Sequence, residues 1–521
     1  MACRRGLGGV IVLATALHAW GMARATLPAQ DGLIFIRVAR AFHQRPWADV
    51  VRGTDRHPLY PALVALARPI VANFERRGPE SWWLAAQGVS ALAAIALLIP
   101  LHGLVRRLFD ARTATLATLL FVLLPLPARV GHDTLADSVA LLCSLGALRL
   151  GVAALDGRGW SASVASGLVA GLGFLARPEV ALIPVAVLIT ATISSRRVGG
   201  AHPTKGLGAR WAPLGLAFLA MVGSYAIVKG EVSEKLALRI ATSQSPSAKA
   251  APKAVGHGLP KGLDDPRWDF SAKEESGHVP TRGWLDAARR LATKWVEWMA
   301  WAFAVLALWG AIRARAVAGP AKRLVVVFLV VDAVALARHA ATLGYLSGRH
   351  VLPIVLLSVP WSAAALVLIG RRLSALMGWN GATARALGAS FLVALLGLGI
   401  ALQARGSSHE SRACHSEAGR WLLDHAKYGD AVLDTRGWAA FVSGLNAYDY
   451  WHVRQALTDA RLAFVVVGDD ELAAPSRRGE TLRAILGFAA EPVARFPGPR
   501  EGSGVRVFRF RRPASWEGLT R

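Results

Sequence analysis

The chain has 521 residues, 54% of them hydrophobic, and a formal net charge of +26 at pH 7. Soluble domains are roughly 45–50% apolar, and the excess here lies in runs such as LVVVFLVVDAVALA (324–337), which approach the length of a membrane span. The composition therefore excludes an ordinary soluble protein and predicts a polytopic membrane protein. The basic residues cluster at the ends of apolar runs, where they set orientation and meet anionic lipid, so they do not indicate nucleic-acid binding.

The first apolar segment resembles a signal peptide, with the basic start MACRR, an apolar core and small residues at its end. We interpret it as a retained signal anchor. Both interpretations place the residues after position 25 outside the membrane, and the anchor interpretation leaves the N-terminus in the cytoplasm.

Apolar runs along the chain predict eleven spans. When Arg4 and Arg5 are cytoplasmic, alternation brings every short basic loop to the cytoplasmic side, as the positive-inside rule requires. The two spans at 162–176 and 180–195 are short, and a re-entrant pair is the alternative for them. The predicted spans are 7–24, 83–105, 113–128, 137–154, 162–176, 180–195, 212–228, 295–312, 324–344, 351–370 and 386–404. We expect a multi-pass protein of the cell (inner) membrane.

Three longer segments then lie on the external side: 25–82, 229–294 and 405–521. The second is rich in Lys, Pro and Gly and ends in an amphipathic pattern. In the third, SEAGRWLLDHA has helical spacing, while DAVLDT, LAFVVVGDD and GVRVFRFRR have strand patterns. The sequence predicts a mainly α membrane domain over 1–404 and a small external α/β domain over 405–521.

The stretch PAQDGLIFIRVARAFHQRP (28–46) places a lone carboxylate, Asp31, just after the first span. Apolar residues recur four apart behind it and basic or polar ones occupy the other face, which predicts a helix lying in the membrane interface: Ile34, Val38 and Phe42 against Arg37, Arg40 and Gln44. Asp31 at the start of this helix is either its N-cap or a functional carboxylate.

Three further external turns carry charged residues. Asp133 and Asp137 open the fourth span, with His132 beside them, and Asp137 is a plausible N-cap. Each turn has a simple local explanation, such as a cap, an ion pair or an interface anchor. Together they bring carboxylates and arginines to one membrane face, which suits a substrate that is both lipidic and phosphorylated. The other two turns contribute Arg177 with Glu179, and Arg349 with His350.

The order of these motifs resembles the polyprenyl-phosphate-sugar-dependent glycosyltransferases of the GT-C fold. The similarity is greatest to the bacterial protein-O-mannosyltransferase and aminoarabinose-transferase branch (glycosyltransferase family 39-like) and covers about residues 1–404. It is carried, in chain order, by DG…RVARAF…RHPLYPALVAL, GHDTLADSVALL, GLGFLARPEVALIP and GYLSGRHVLPIVLL.

The resemblance implies roles for individual residues. Asp31 matches the family's Asp that acts as base or orients the acceptor, and Asp133 or Asp137 matches the next acidic turn. Relatives often carry a second acid directly after the first Asp, where this chain has Gly32. The remaining matches form a substrate-binding set: His57 and Tyr60 of the returning loop, Arg177 and Glu179, and Arg349 and His350, with the two arginines near the lipid phosphate.

The implied reaction is an inverting transfer of a sugar from a polyprenyl-phosphate donor to a hydroxyl or amine of a protein, lipid or glycan acceptor. No metal or cofactor is indicated, because Cys3, Cys143 and Cys414 lack metal-ligand spacing; a divalent metal is compatible with the motifs. The alternatives are a transporter or lipid flippase and a non-catalytic scaffold. A transporter would place its charged residues near the membrane midplane, whereas here most lie at one face and only Asp332 and Arg338 are deep.

Overall fold

The computed structural model describes residues 2–73, 79–157, 159–197, 207–230, 283–314, 316–317, 319–405 and 409–512. The first part of the chain is helical. It forms α1 (Ala2–Arg24), α2 (Gln30–Gln44), α3 (Trp47–Gly53), α4 (Leu59–Ala72), α5 (Pro79–Ala96), α6 (Leu98–Leu108), α7 (Ala111–Leu123), α8 (Pro125–His132), α9 (Asp137–Leu155), α10 (Trp160–Phe174), α11 (Leu182–Arg197), α12 (Leu207–Lys229), α13 (Trp284–Trp298), α14 (Ala302–Arg313), α15 (Pro320–Leu343), α16 (Leu352–Leu376) and α17 (Gly381–Ala404).

Eight apolar helical segments in these ranges are long enough to cross a membrane, and the chain is a multi-pass membrane protein. They correspond to eight of the eleven predicted spans. Two more predicted spans are bent helix pairs, and the span predicted at 162–176 is the shorter helix α10. The eight segments are Gly6–Arg24, Pro79–Leu108, Asp137–Leu155, Pro178–Ser195, Trp211–Lys229, Pro320–Thr342, Gly348–Leu376 and Gly381–Ala404.

Both bends have local causes. Helices α7 and α8 meet at 71° where Leu124 takes an extended conformation before Pro125, as a residue preceding proline usually does. Helices α13 and α14 meet at 107°, and Ala300 and Trp301 between them have positive φ. The span predicted at 295–312 is therefore wrong in its first part, because residues 295–298 belong to the amphipathic helix α13. Most of the predicted loop 229–294, residues 231–282, lies outside the described residues.

The segment after α1 folds onto the bundle as α2, α3 and α4. The amphipathic pattern of α2 is confirmed, with Val38 and Phe42 buried and Arg37 exposed. Its apolar face packs on protein rather than on lipid, since Val38 and Phe42 belong to the main hydrophobic core and Phe35 contacts Tyr60 of α4 with ring centroids 5.1 Å apart. The segment thereby places the start of α2 beside the ends of the spans.

The C-terminal part contains a five-stranded sheet. Its strands β1 (Ala431–Asp434), β3 (Leu462–Gly468) and β5 (Val505–Phe510) occupy the three segments whose patterns predict strands, and β2 (Asn446–Tyr448) and β4 (Ala490–Phe496) complete the sheet. The order is β2-β1-β3-β5-β4, with β1 parallel to β2 and β3, and β5 antiparallel to β3 and β4. Helices pack around it: α18 (Ala413–His425), α19 (Trp438–Ser443), α20 (Val453–Thr458), α21 (Asp469–Ala473) and α22 (Arg477–Ala489).

Polar contacts join this sheet domain to the residues just before α2. The Nη1 of Arg412 and the Nε1 of Trp438 donate to the carbonyl oxygen of Pro28 at 2.7 Å and 3.0 Å. The Nε2 of His409 lies 2.6 Å from Oδ2 of Asp133. The domain is therefore attached at the end of the bundle where α2 begins.

Candidate functional site

The Asp31 carboxylate faces two arginines. Ala29 is the cap residue of α2, and no side chain there makes a cap hydrogen bond. The Nη2 of Arg349 donates to Oδ2 of Asp31 at 2.7 Å, and the Nη2 of Arg56 lies 3.3 Å from Oδ1. The interpretation of Asp31 as an N-cap is therefore wrong, because its oxygens are used in contacts with distant segments.

Asp137 lies deeper and shares one of these arginines. It is the first residue of α9, but Ala136 is the cap and again no side chain makes a cap hydrogen bond. Its side chain is only 4% exposed; Oδ1 pairs with Arg177, and Oδ2 lies 3.8 Å from Nη1 of Arg349. The cap interpretation is wrong here too. Arg349 lies between two carboxylates from different helices.

Arg177 lies in the turn between α10 and α11. Pro178 follows it and favours the extended backbone that Arg177 adopts. Glu179 Oε1 is 3.4 Å from its Nη2, which is the local pair that the sequence suggests. Burial opposes the charged guanidinium, but the nearby carboxylates of Asp137, Glu179 and Asp31 outweigh it and raise the pKa of Arg177. This partly buried arginine therefore keeps its charge.

These contacts form one continuous series in which three guanidiniums alternate with three carboxylates. Charges removed from water are tolerated when each has partners of opposite sign, and the series is formally neutral. Its parts come from five separate regions of the chain, so it exists only in the folded protein. In order the members are Arg56, Asp31, Arg349, Asp137, Arg177 and Glu179.

The series borders an open cavity of roughly 400 Å³. A smaller cavity adjoins it on the side of the apolar bundle and is bordered by Asp332, Leu141 and Phe328. The larger cavity has charged groups, histidines and aromatic rings on its walls, a mixture suited to a polar head group. Seven of the nine predicted site residues border it: Asp31, His57, Asp137, Arg177, Glu179, Arg349 and His350.

The two histidines are held by aromatic neighbours. The His57 ring stacks on Tyr225 with centroids 5.6 Å apart and meets Phe174 edge-on at 5.2 Å. The ring of His350 meets His339 edge-on at 5.1 Å. Both rings therefore pack against aromatic neighbours on the cavity wall.

Two predicted site residues do not border the cavity. Tyr60 is fully buried, and its hydroxyl donates to the carbonyl oxygen of Ala86 at 2.9 Å inside the helix packing. Asp133 is 8% exposed and accepts from the amide of Ala29 at 3.0 Å and, through its other oxygen, contacts His409. The expectation that Tyr60 and Asp133 reach the substrate is thus not supported by their positions; between the two acids of the DTLAD turn, Asp137 is the one at the cavity.

Gly32 has a steric explanation. A Cβ at this position would lie 1.7 Å from Oγ1 and 2.9 Å from the carbonyl oxygen of Thr134. Helix α2 therefore approaches the turn before α9 too closely for any side chain. The missing second acid after Asp31 follows from this packing.

Sequence reasoning missed Arg56, which pairs with Asp31 and borders the cavity. Its only signal is its place directly before His57 in the motif RHPLYPAL. Tyr345, in the motif GYLSGRH, was also overlooked and borders the cavity. Among the described residues, no group of three or more His, Cys, Asp or Glu side chains is arranged to hold a metal ion.

The fold is that of the GT-C membrane glycosyltransferases. ArnT from Cupriavidus metallidurans in the apo state superimposes with a TM-score of 0.60 at 14% identity, covering 99% of this chain and 99% of that chain. The same protein bound to undecaprenyl phosphate gives 0.59 at 15% identity, over 97% and 98% of the two chains. At such identities the likeness shows the fold, and the GT-C resemblance is confirmed at that level.

Two further comparisons agree with this fold. The Archaeoglobus fulgidus oligosaccharyltransferase, tethered with an acceptor peptide containing the NVT sequon via a disulfide bond, gives a TM-score of 0.52 at 14% identity over 93% of this chain and 72% of that chain. The family model for dolichyl-phosphate-mannose-protein mannosyltransferase matches residues 55–232, which include Arg56, Asp137 and Arg177 but neither Asp31 nor Arg349. No curated protein sequence gives a significant match.

Proposed function

We propose that this protein is an inverting glycosyltransferase that moves a sugar from a polyprenyl-phosphate donor to a hydroxyl or amine acceptor at the outer face of the membrane. The observation that carries the proposal is the neutral series of carboxylates and guanidiniums beside an open cavity in a GT-C fold. A relative of the same fold has been crystallised with undecaprenyl phosphate, which supports a lipid-phosphate donor here.

Arg349 is our candidate for the phosphate contact. It is 30% exposed, faces the cavity and holds Asp31 through one nitrogen at 2.7 Å. A guanidinium binds phosphate through two parallel hydrogen bonds, and its charge stabilises the leaving group as that group gains negative charge. Arg177 is held by Asp137 and Glu179, so we assign it the task of orienting Arg349 through Asp137.

Asp31 is our candidate for the base. The acceptor oxygen or nitrogen attacks the anomeric carbon, the bond from that carbon to the phosphate oxygen breaks, and its electron pair leaves with the polyprenyl phosphate. The acceptor proton passes to Asp31, directly or through one water. A single displacement inverts the anomeric centre. At 32% exposure Asp31 is open enough to meet an acceptor.

Charge placement supports the proposed topology. Asp137 begins α9 at the site, whereas Asp156 follows the other end of the helix and pairs with Arg107 at 2.5 Å. Arg371, near the end of α16, pairs with Asp110 at 3.4 Å. Arg107 and Arg371, both near helix ends, thus lie at the end of the bundle away from the cavity, which we assign to the cytoplasm of a cell membrane.

The test is turnover of synthetic donors by the full chain in liposomes. Polyprenyl-phosphate mannose and polyprenyl-phosphate aminoarabinose are each offered with a serine-containing peptide, a phosphorylated glycolipid or a glycan. We expect one donor to release polyprenyl phosphate, detected by mass spectrometry, and the product to have the inverted configuration by NMR. A retained configuration contradicts single displacement, and passage of intact donor across the bilayer without cleavage identifies a flippase instead.

The matched control is Asp49→Asn. Asp49 lies on α3, is 59% exposed and, within the described part of the chain, forms its ion pair with Arg52 three positions further on. We expect this variant to turn over donor at the wild-type rate, while Asp31→Asn loses roughly 10²- to 10⁴-fold, the range for removal of a general base. Equal activity of the two variants removes Asp31 from the mechanism.

A further inference from the structure

The C-terminal sheet domain holds the two residues at the entrance to α2. The carbonyl oxygen of Pro28 accepts two hydrogen bonds from this domain, one from Arg412 at 2.7 Å and one from Trp438 at 3.0 Å. Both donors come from segments far away in the chain. Two donors from different segments therefore hold this carbonyl from two sides.

An apolar contact reinforces these bonds. The Trp438 indole is 6% exposed and forms a separate small hydrophobic cluster with Leu27 and Leu33, residues on either side of Pro28. The guanidinium carbon of Arg412 lies 4.6 Å from the centre of the same indole ring. Trp438 thus contributes ring packing, a cation–π contact and a hydrogen bond at one place.

The neighbouring residue is held from the bundle side. Oδ1 of Asp133 accepts from the amide of Ala29 at 3.0 Å and from the amide of Thr134 at 2.8 Å. Oδ2 lies 2.6 Å from Nε2 of His409, which leads into the sheet domain. Burial favours the neutral acid, but the hydrogen bonds from His409 and Thr134 and the charge of Arg412 outweigh it and lower the pKa of Asp133. Asp133 is therefore an ionised link between bundle and domain.

We propose that Arg412, Trp438 and Asp133 are positioning residues that fix the start of α2 and hence the place of Asp31, so that the sheet domain completes the active site without touching the substrate. The inference rests on the proposed function, because it assigns these residues to the same reaction.

We call the hydrogen bonds that Arg412, Trp438 and Asp133 form with residues 28 and 29 the clamp. It acts on Asp31 through the first turn of α2. Asp31 lies in the first turn of α2, and the amide of Leu33 already donates to the carbonyl oxygen of Ala29 at 3.1 Å. The turn moves as a unit with Ala29 because its backbone is hydrogen-bonded. A displacement of about 1 Å between reacting groups can cost about 10²-fold in rate. Loosening the clamp should therefore reduce kcat, while donor contacts through Arg349 remain.

The experiment compares two clamp variants with two controls in the full chain. Trp438→Phe keeps a ring but removes the donor to Pro28, and Arg412→Gln removes the charge. Trp451→Phe and Arg420→Gln are the matched controls, since both residues are exposed in the same domain. With polyprenyl-phosphate mannose or aminoarabinose, whichever the wild type consumes, we expect kcat to fall about 10- to 100-fold in the clamp variants. KM for the donor should change less than threefold and the controls should match the wild type.

Hydrogen–deuterium exchange supplies a readout that does not need turnover. We expect faster exchange of peptides covering residues 28–36 in Trp438→Phe and Arg412→Gln, with unchanged exchange in β1 and β3, which shows that the domain remains folded. Wild-type kcat or unchanged exchange at 28–36 in both clamp variants overturns the inference. If the wild type consumes no donor but residues 28–36 still exchange faster in the clamp variants, the proposed function is refuted. The clamp then remains a structural feature of the protein.

Discussion

Replacing Asp137 and Asp31, two of the three carboxylates at the cavity, by their amides should separate chemistry from stability. Asp137 is 4% exposed and pairs with Arg177 and Arg349. Removing one partner of a buried ion pair costs about 3–5 kcal/mol. Arg177 is 22% exposed and keeps Glu179 at 3.4 Å, so we expect Asp137→Asn to lose about 2–3 kcal/mol of stability after solvent screening is considered.

Asp31→Asn should behave in the opposite way. Its side chain is 32% exposed against 4% for Asp137, so solvent screens its ion pairs more strongly and their loss should cost about 1 kcal/mol. We expect this variant to melt close to the wild type while its donor turnover falls about 10²- to 10⁴-fold. Asp137→Asn should lose only about 10- to 100-fold, because it disturbs the placement of Arg349 without removing the base.

The assays are thermal melting of the purified protein in detergent, followed by the loss of its monodisperse size-exclusion peak, and release of polyprenyl phosphate at 25 °C. A larger loss of melting temperature in Asp31→Asn than in Asp137→Asn would refute the inference that the more buried ion pairs of Asp137 are the costlier to break. Turnover by Asp31→Asn above a third of the wild-type rate would refute its role as base.

Three further predictions follow from single contacts. Arg349→Lys keeps the charge but loses the planar fork, so kcat on the donor should fall about tenfold or more with little change in melting; wild-type kcat would exclude a bidentate phosphate contact. Gly32→Ala places a Cβ against Thr134, and this overpacking should lower the free energy of unfolding by about 1–3 kcal/mol, seen as a lower melting temperature. An unchanged melting temperature would show that the turn containing Thr134 can shift to make room. Burial, with smaller contributions from Arg436 and Arg412, lowers the pKa of His415 to about 3. The unfolded chain therefore binds a proton near pH 6.5 that the folded one does not, and stability should fall by up to about 1.4 kcal/mol per pH unit between pH 6.5 and 3. The His415→Gln variant should show a shallower loss over the same pH range.

Period and composition located most of the membrane helices and three of the five strands. Apolar runs located eight spans and both bent pairs, because the cost of exposing backbone polar groups to lipid makes a helix the only solution for such runs. Alternation with period two located β1, β3 and β5. The strands β2 and β4 were missed because β2 has three residues and β4 carries Pro492 and charged residues at an edge of the sheet.

The residues of the site were harder to rank. Asp133 and Asp137 are equivalent in sequence, both being acids in one short turn, and only the packing of α2 against that turn assigns one to the clamp and the other to the cavity. Tyr60 stands in a motif beside His57, but helical geometry turns it into the core, where its hydroxyl reaches Ala86.

The sequence by itself determined that this is a membrane protein of many spans with a small α/β domain, because hydrophobic periodicity and loop charge are local properties that water and lipid act on directly. Only the tertiary structure decided which of the candidate site residues lie together at the cavity and which charges they pair with. Asp31 and Arg349 meet across 318 residues of chain, and Arg56 joins them from the loop before α4, where its only signal is its place directly before His57. Such pairings depend on how helices pack side by side, and packing is set by shape and by the need to pair buried charges rather than by any repeat in the sequence.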